Sequence, residues 1–310
     1  MHYLVTGGAG FIGSNIVHTL VDQGRSVRVF DNFSTGRREN LAQIEKDIEI
    51  IEGDLCDVPS LKKAIKGVRY ILHLGALPSV PRSIKDPLST HEVNVTGTLN
   101  LLIEARKENV ERLVFSSSSS VYGDTATLPK HEDLVPNPLS SYALSKLAGE
   151  HYCRIFHELH GLDTFSLRYF NVFGPRQDPL PTYAAVIPKF ISALSHNKSP
   201  IIYGDGNQSR DFTFVKDVVA ANLCCCTASK DAAGKVYNVG RGNRTTVLEL
   251  AGSIASILDR DIEPIHEASK EGDVRDSQAD SSRAQKLLKW NPEIDLEDGL
   301  RHTVKWFAGN

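Results

Sequence analysis

Scarcity sets the first limits on this 310-residue chain. It lacks a long hydrophobic run: no stretch approaches the roughly 18 apolar residues that span a bilayer, so no membrane segment is expected. Cysteine is sparse and odd in number, five residues, with Cys224, Cys225 and Cys226 consecutive in an apolar stretch. That spacing suits neither a zinc clamp nor a disulfide framework. Together with Cys56 and Cys153 they read as small core residues in a reducing compartment, and no metal is expected. Charge of one sign is also missing. Lys and Arg total 35 against 38 Asp and Glu, a net charge of -3, which argues against a nucleic-acid surface or a basic membrane patch. The start, Met1-His-Tyr-Leu-Val-Thr6, has no basic segment followed by an apolar one. These absences predict a cytoplasmic protein with a small-molecule ligand.

What is present is alternation. Short apolar runs at Tyr3–Thr6, Ser26–Phe30, Ile48–Ile51, Tyr70–Leu74, Leu113–Ser117 and Thr164–Leu167 read as strands, with helical patterns between them. Val93–Ala105 and Ser140–His157 are the longest of these. Such alternation predicts an α/β fold, a Rossmann-like doubly wound parallel sheet. After Gly174 the texture changes, with Pro175, Pro179, Pro181 and Pro188 close together. Residues 1–174 are therefore expected to form a dinucleotide-binding domain to which the chain later returns, and 175–310 a smaller α/β substrate lobe.

Gly7, Gly10 and Gly13 follow the first strand and open an apolar helix. Gly7 permits a tight turn, Gly10 lets the backbone approach a pyrophosphate, and Gly13 lets helix and strand pack closely. The next strand ends at Asp31, whose carboxylate suits two ribose hydroxyls and repels a 2′-phosphate. NAD is thereby favoured over NADP, although Arg37 and Arg38 nearby are groups able to pair with such a phosphate. Asp54 and Leu55, after the third strand, suit the adenine edge.

Tyr142 and Lys146 stand four apart, on one helix face. A Y-x-x-x-K pair alone is a common solvated one. Behind a dinucleotide turn, and downstream of the run Ser116–Ser120, it becomes a candidate base with a cation to favour its phenolate. A serine of that run can relay a proton between that phenolate and a substrate hydroxyl. The run Ser116–Ser120 holds no carboxylate. Glu132 and Asp133, in the loop bounded by Pro129 and Pro136, are expected on the surface.

With Thr6–Gly13, Asp31–Gly36, Ser116–Gly123, Tyr142–Lys146, Arg168–Gly174, Tyr203–Gly206, Arg210–Phe212 and Glu271–Asp273 in order, the chain resembles the extended short-chain dehydrogenase/reductases, most closely the UDP-hexose 4-epimerases. The resemblance implies a tightly held NAD, a UDP-sugar substrate and a homodimer built on two long helices per subunit. It makes Ser118 the proton relay, and because Ser119 and Ser120 stand where members that dehydrate or decarboxylate carry a carboxylate, it limits the expected chemistry to hydride transfer at a carbinol. It also implies cofactor contacts from Phe11, Ile12, Asn32, Ser34, Thr35 and Gly36, and from Leu74, Ala76, Ser116, Tyr142, Lys146 and Tyr169. On the substrate side it implies Asn171, Lys189 and Arg210 at the diphosphate, backbone contacts from Ala185 and Val186, Asp273 at the ribose, and Ser79, Ser118, Tyr142 and Tyr203. Two positions depart from the family pattern: Lys270 stands where an arginine is usual, and Pro78 where a glycine is frequent.

The resemblance places Ser277 beside the sugar's C2 substituent. A tyrosine there confines the pocket to a hydroxyl, whereas serine leaves space for an N-acetyl group. The flanking Tyr169–Asp178 and Tyr183–Lys189 also resemble the branch acting on N-acetylated sugars. UDP-GlcNAc and UDP-GalNAc are thus expected as substrates beside UDP-Glc and UDP-Gal. The alternatives are a UDP-glucuronate 4-epimerase, which needs an extra cation for the C6 carboxylate, and a non-catalytic dinucleotide sensor, which has no need of a base.

Overall fold

The computed structural model of the chain describes residues 3–178, 185–261, 263–268 and 275–309. Its first half runs β1 (Tyr3–Thr6), α1 (Phe11–Asp22), β2 (Val27–Asp31), β3 (Glu49–Glu52), α2 (Val58–Ile65), β4 (Tyr70–His73), α3 (Val80–Lys85), α4 (Pro87–His91), α5 (Gly97–Lys107), β5 (Arg112–Ser118), α6 (Ser141–His160) and β6 (Asp163–Tyr169). The second half gives β7 (Val172–Phe173), α7 (Val186–Ser195), β8 (Ile201–Tyr203), β9 (Ser209–Arg210), β10 (Thr213–Phe214), α8 (Val215–Thr227), β11 (Lys235–Val239), β12 (Thr245–Thr246), α9 (Val247–Ile257), β13 (Ile265–Glu267), α10 (Ser282–Leu288) and α11 (Leu296–Ala308).

Seven parallel strands form one sheet in the order β11-β6-β5-β4-β1-β2-β3. This is the doubly wound, Rossmann-like fold that the alternation predicts. Each of the six expected strands is present, with ends shifted by a residue or two. The seventh, β11, comes from beyond residue 174 and pairs with β6 from Lys235↔Phe165 to Val239↔Tyr169. Periodicity did not single it out, because Lys-Val-Tyr-Asn-Val lies within the patchwork of short elements beyond residue 174. The strand order reverses between β1 and β4, and their carboxyl ends open the crevice where such sheets bind ligands.

Both sheet faces are covered, which is why the strands read as nearly continuous apolar runs. On one side Ile16, Val17 and Leu20 of α1 pack with Val218, Val219 and Leu288. On the other, Leu61, Leu101, Leu102, Cys153 and Phe156 close over Leu4, Ile71 and Leu113. A separate cluster of Phe173, Ile187, Phe190, Phe214, Leu250, Ile254 and Leu300 forms the core of the second lobe. Cys153, Cys225 and Cys226 are buried as expected, whereas Cys56 is exposed on the turn after β3, its thiol donating to the Glu92 carbonyl at 3.3 Å. Among the described residues no helix is long and apolar enough to cross a membrane.

The helix expected at Ser140–His157 is α6. Ser140 caps it by accepting from the Ala143 N–H at 3.1 Å, and Gly161 ends it in the left-handed region at φ 71°. The other long pattern opens with a π-helical turn, Glu92–Thr96, before α5.

Candidate active site

A single cavity of about 960 Å³ runs from the glycine turn across the carboxyl ends of β1, β4 and β5 to the second lobe. Gly7, at φ 67°, makes the turn out of β1, and a Cβ there would stand 2.7 Å from the Gly75 amide nitrogen. A Cβ on Gly13 would stand 2.1 Å from the Gly7 carbonyl oxygen, so only glycine lets α1 approach this closely. The N-terminus of α1 carries no side-chain cap and no acid in its first turn. Its free N–H groups and positive dipole end suit an anionic pyrophosphate.

Asp31 closes the adenosine side. Its Oδ2 accepts from the Ala9 N–H at 2.9 Å and its Oδ1 from the Phe33 N–H at 2.8 Å. Burial pushes its carboxyl up, against the pull of those two bonds. Each oxygen keeps a second lone pair for a ribose hydroxyl. Asn32 donates to Asp54 at 2.6 Å, tying the β2 and β3 ends together. Arg37 faces Asp178 at 3.4 Å, and Arg38 pairs with Glu52 while lying 3.9 Å over the Phe33 ring. Both cations able to pair with a 2′-phosphate are engaged with carboxylates.

Phe11, Ile12, Ser34, Thr35, Gly36, Leu55, Leu74, Ala76, Ser116 and Tyr169 also line the cavity, with Gly10. Ser118 ends β5, and Tyr142 and Lys146 occupy the first two turns of α6, so all three share one wall. The Tyr142 phenol feels the Ser118 hydroxyl, which accepts from the Ser120 N–H at 3.2 Å. Lys146 Nζ donates to the Ser116 carbonyl at 2.8 Å and lies 5.9 Å from the Tyr142 ring centre.

Burial governs the protons of this trio. It pushes the Tyr142 phenol above its ordinary value, an effect partly opposed by the Ser118 hydroxyl. It brings the Lys146 ammonium down to about 8. The sequence leads one to expect Lys146 to lower Tyr142. With Lys146 turned to a backbone carbonyl, burial outweighs that effect in the chain on its own. Tyr142 is only half-buried by exposed area because one side of its ring faces the cavity.

Asn171, Arg210 and Ser277 line the far wall. Asn171 donates to the Asp211 carbonyl at 3.3 Å, and the Arg210 guanidinium is held by the Ser209 and Arg275 carbonyls at 3.0 and 2.9 Å. Ser277 is 6% exposed and donates its N–H to the Ser209 carbonyl at 3.1 Å. Ser79 lies between the wall residues Pro78 and Val80 and caps α3 through the Arg82 N–H at 3.2 Å. Ala185, Val186 and Lys189 start α7, and Tyr203 ends β8; none of these four lines the described cavity. Asp273, Lys270 and Tyr183 lie outside the described residues.

Sequence reasoning missed three residues here. Asn94 accepts from the Leu77 N–H at 2.8 Å and donates to Ser145 of α6 at 3.1 Å, joining two walls of the cavity. Lys130 lines the cavity, and the Glu132 side chain is only 3% exposed, turned inward and not on the surface as expected. The Pro-bounded loop folds inward because its backbone pairs with the segment after Ser277, and Glu132 accepts from the Asn238 N–H at 2.8 Å. Only Asp133 is exposed, paired with Arg283 at 2.6 Å.

A doubly wound sheet with a glycine turn and a Ser/Tyr/Lys trio on one cavity defines the short-chain dehydrogenase/reductase class. The model of the NAD dependent epimerase/dehydratase family matches residues 3–240, and the chain belongs to that family. NAD is its cofactor. A UDP-N-acetylglucosamine 4-epimerase from Methanobrevibacter ruminantium M1, solved with UDP-N-acetylmuramic acid, is 43% identical, with 99% and 98% of the two chains covered and a TM-score of 0.95. A UDP-glucose 4-epimerase from Thermotoga maritima, solved with UDP-glucose, is 36% identical over 100% and 99% of the chains, with the same TM-score. A putative UDP-glucose 4-epimerase of Methanocaldococcus jannaschii is 40% identical over 99% of this chain and 98% of its own.

Proposed function

We propose that the protein interconverts UDP-hexoses at C4, accepting UDP-GlcNAc and UDP-GalNAc as well as UDP-Glc and UDP-Gal. The observation that carries this reading is the set of Ser118, Tyr142 and Lys146 on one wall of the cavity that the glycine turn also lines, without a carboxylate beside Ser118. Relatives and solved neighbours that act on UDP-sugars at C4 support it.

Tyr142 takes the proton of the C4 hydroxyl, directly or through Ser118, as the C4–H bond breaks and a 4-keto sugar forms. Bound NAD supplies the reversible two-electron acceptor at that carbon. Lys146 holds the nicotinamide ribose and stabilises negative charge on Tyr142. Arg210 and Asn171 hold the diphosphate while the keto sugar turns to present its other face, where the C4–H bond re-forms by return of the same hydride and Tyr142 gives the proton back to the C4 oxygen. Ser277, buried and small, leaves the 2-substituent room.

A second reading, UDP-glucuronate 4-epimerisation, is favoured by one observation: Lys130 puts the extra cation it requires on the cavity wall. Incubation with UDP-GlcNAc, UDP-Glc and UDP-glucuronate, without added NAD, followed by resolution of the epimers, separates the readings. Epimers of the first two are expected. Tyr142→Phe should lower turnover at least a thousandfold with NAD retained, and near-normal turnover would remove Tyr142 from the base role. Ser277→Tyr should abolish N-acetyl activity and spare the plain sugars; equal loss on both would sink the role given to Ser277.

A further inference from the structure

Lys130 is 2% exposed, yet it borders the cavity. An ammonium is seldom buried without acceptors for its three N–H donors. Here Nζ donates to the Gly123 carbonyl at 3.2 Å, and among the described residues no carboxylate lies within ion-pair distance of it. Asp124 acts on it only through space, and Arg210 opposes its charge. Burial holds its pKa below the ordinary lysine value, the mark of an ammonium short of partners.

The backbone fixes where this cation sits. The Lys130 N–H donates to the Gln278 carbonyl at 2.7 Å, and the Lys130 carbonyl accepts from the Asp280 N–H at 2.8 Å. Asn238 clamps the same pair of segments, donating to the carbonyls of Lys130 at 2.8 Å and Asp280 at 3.0 Å. Lys130 and Ser277 therefore ride on adjacent, mutually bonded strands of one wall. A second polar group points the same way: the Ser120 hydroxyl, on the neighbouring wall, is buried without a hydrogen-bond partner among the described residues.

We propose that Lys130 is a specificity-determining residue whose ammonium donates a hydrogen bond to the carbonyl oxygen of a sugar's 2-N-acetyl group, in the space that Ser277 leaves open. This rests on the reading of Ser277 as neighbour of the C2 substituent. A small residue provides room but little preference; a buried, charged donor facing an acceptor provides discrimination, because a plain C2 hydroxyl does not reach it. The Lys130 backbone is bonded to the segment that follows Ser277, which favours the C2 group as its partner over the C6 carboxylate of UDP-glucuronate, and the two partners are separated by the test below.

The test compares kcat/KM for UDP-GlcNAc, UDP-Glc and UDP-glucuronate in the NAD-loaded enzyme and in Lys130→Met. The expected result is a ten- to hundredfold loss on UDP-GlcNAc with less than a threefold loss on UDP-Glc. Equal loss on both overturns the proposal, as does a loss confined to UDP-glucuronate. Lys130→Gln keeps a neutral donor and is expected to fall between the two, which provides a folded comparison if the methionine variant melts early. Failure of the unmutated protein to turn over UDP-GlcNAc would reject the substrate reading itself, before any variant is made; selective loss on UDP-Glc would reject only the role of Lys130.

Discussion

Gly13 and Asp211 show how single residues fix the site from positions that do not react. A methyl at Gly13 would meet the Gly7 carbonyl oxygen, a backbone atom that cannot swing aside. Gly13→Ala is expected to cost about 1–3 kcal/mol of stability and to loosen NAD, read by urea unfolding and by cofactor content after gel filtration. Asp211, next to Arg210, accepts from the backbone N–H groups of Arg241, Gly242 and Ala279 at 3.0, 2.9 and 2.9 Å. It thus holds the segment that carries Ser277 against the strand that carries Arg210. Burial raises its carboxyl to about 6 despite those bonds. The folded chain therefore binds this proton more tightly than the unfolded one, whose aspartates titrate near pH ~4. Its contribution to stability is full below pH ~4 and is lost as pH rises through about 6. Urea midpoints between pH 4 and 7 should show a smaller decline with pH in Asp211→Asn than in the native protein.

The element that matters most is α6. Tyr142, Lys146 and Glu150 succeed one another at i+4 spacing, so one stripe carries the candidate base, its cation and a buried anchor. Glu150 accepts a two-point ion pair from Arg168 of β6, at 2.8 and 2.7 Å, and a hydrogen bond from Ser117 of β5. Arg168 in turn lies 4.5 Å over the Tyr122 ring. The helix is pinned to the two strands beside it, which sets the height of Tyr142 over the cavity. Glu150→Gln leaves the Arg168 charge buried and unmatched, an expected loss of about 3–5 kcal/mol in unfolding free energy. Turnover should fall with it, and Glu150→Leu combined with Arg168→Met should cost less than the sum of the single changes.

At the scale of the whole molecule, apolar side chains remain on the outer surface beside α6: Leu88 is 78%, Leu144 57% and Leu159 72% exposed. We propose that this face joins two copies of the chain through α5 and α6, the homodimer that the family resemblance implies. Leu144→Glu is expected to shift the sedimentation mass from two chains toward one; an unchanged mass would exclude the face. The domain boundary belongs to this scale too. A division at residue 174 follows the change in proline texture, and the main sheet still takes β11 from residues 235–239, with α8 and α10 packed on its face.

Local order in the chain was enough to reveal the glycine turn, the Asp31 strand end and the Tyr142/Lys146 stripe. In each of them the functional geometry is made within one strand, one turn or one helix, where spacing along the chain is distance in space. From these the Rossmann-like class and the dinucleotide followed. The tertiary structure alone decided what lies on the far wall. Lys130, Asn94, Glu132 and Asp211 owe their places to pairings between segments 17 to 150 residues apart, such as Asn94 with Leu77 or Lys130 with Gln278. No local period encodes a buried lysine in a Pro-bounded loop, because burial there is conferred by bonds from the Lys130 backbone to Gln278, Asp280 and the Asn238 side chain, all more than a hundred positions along the chain.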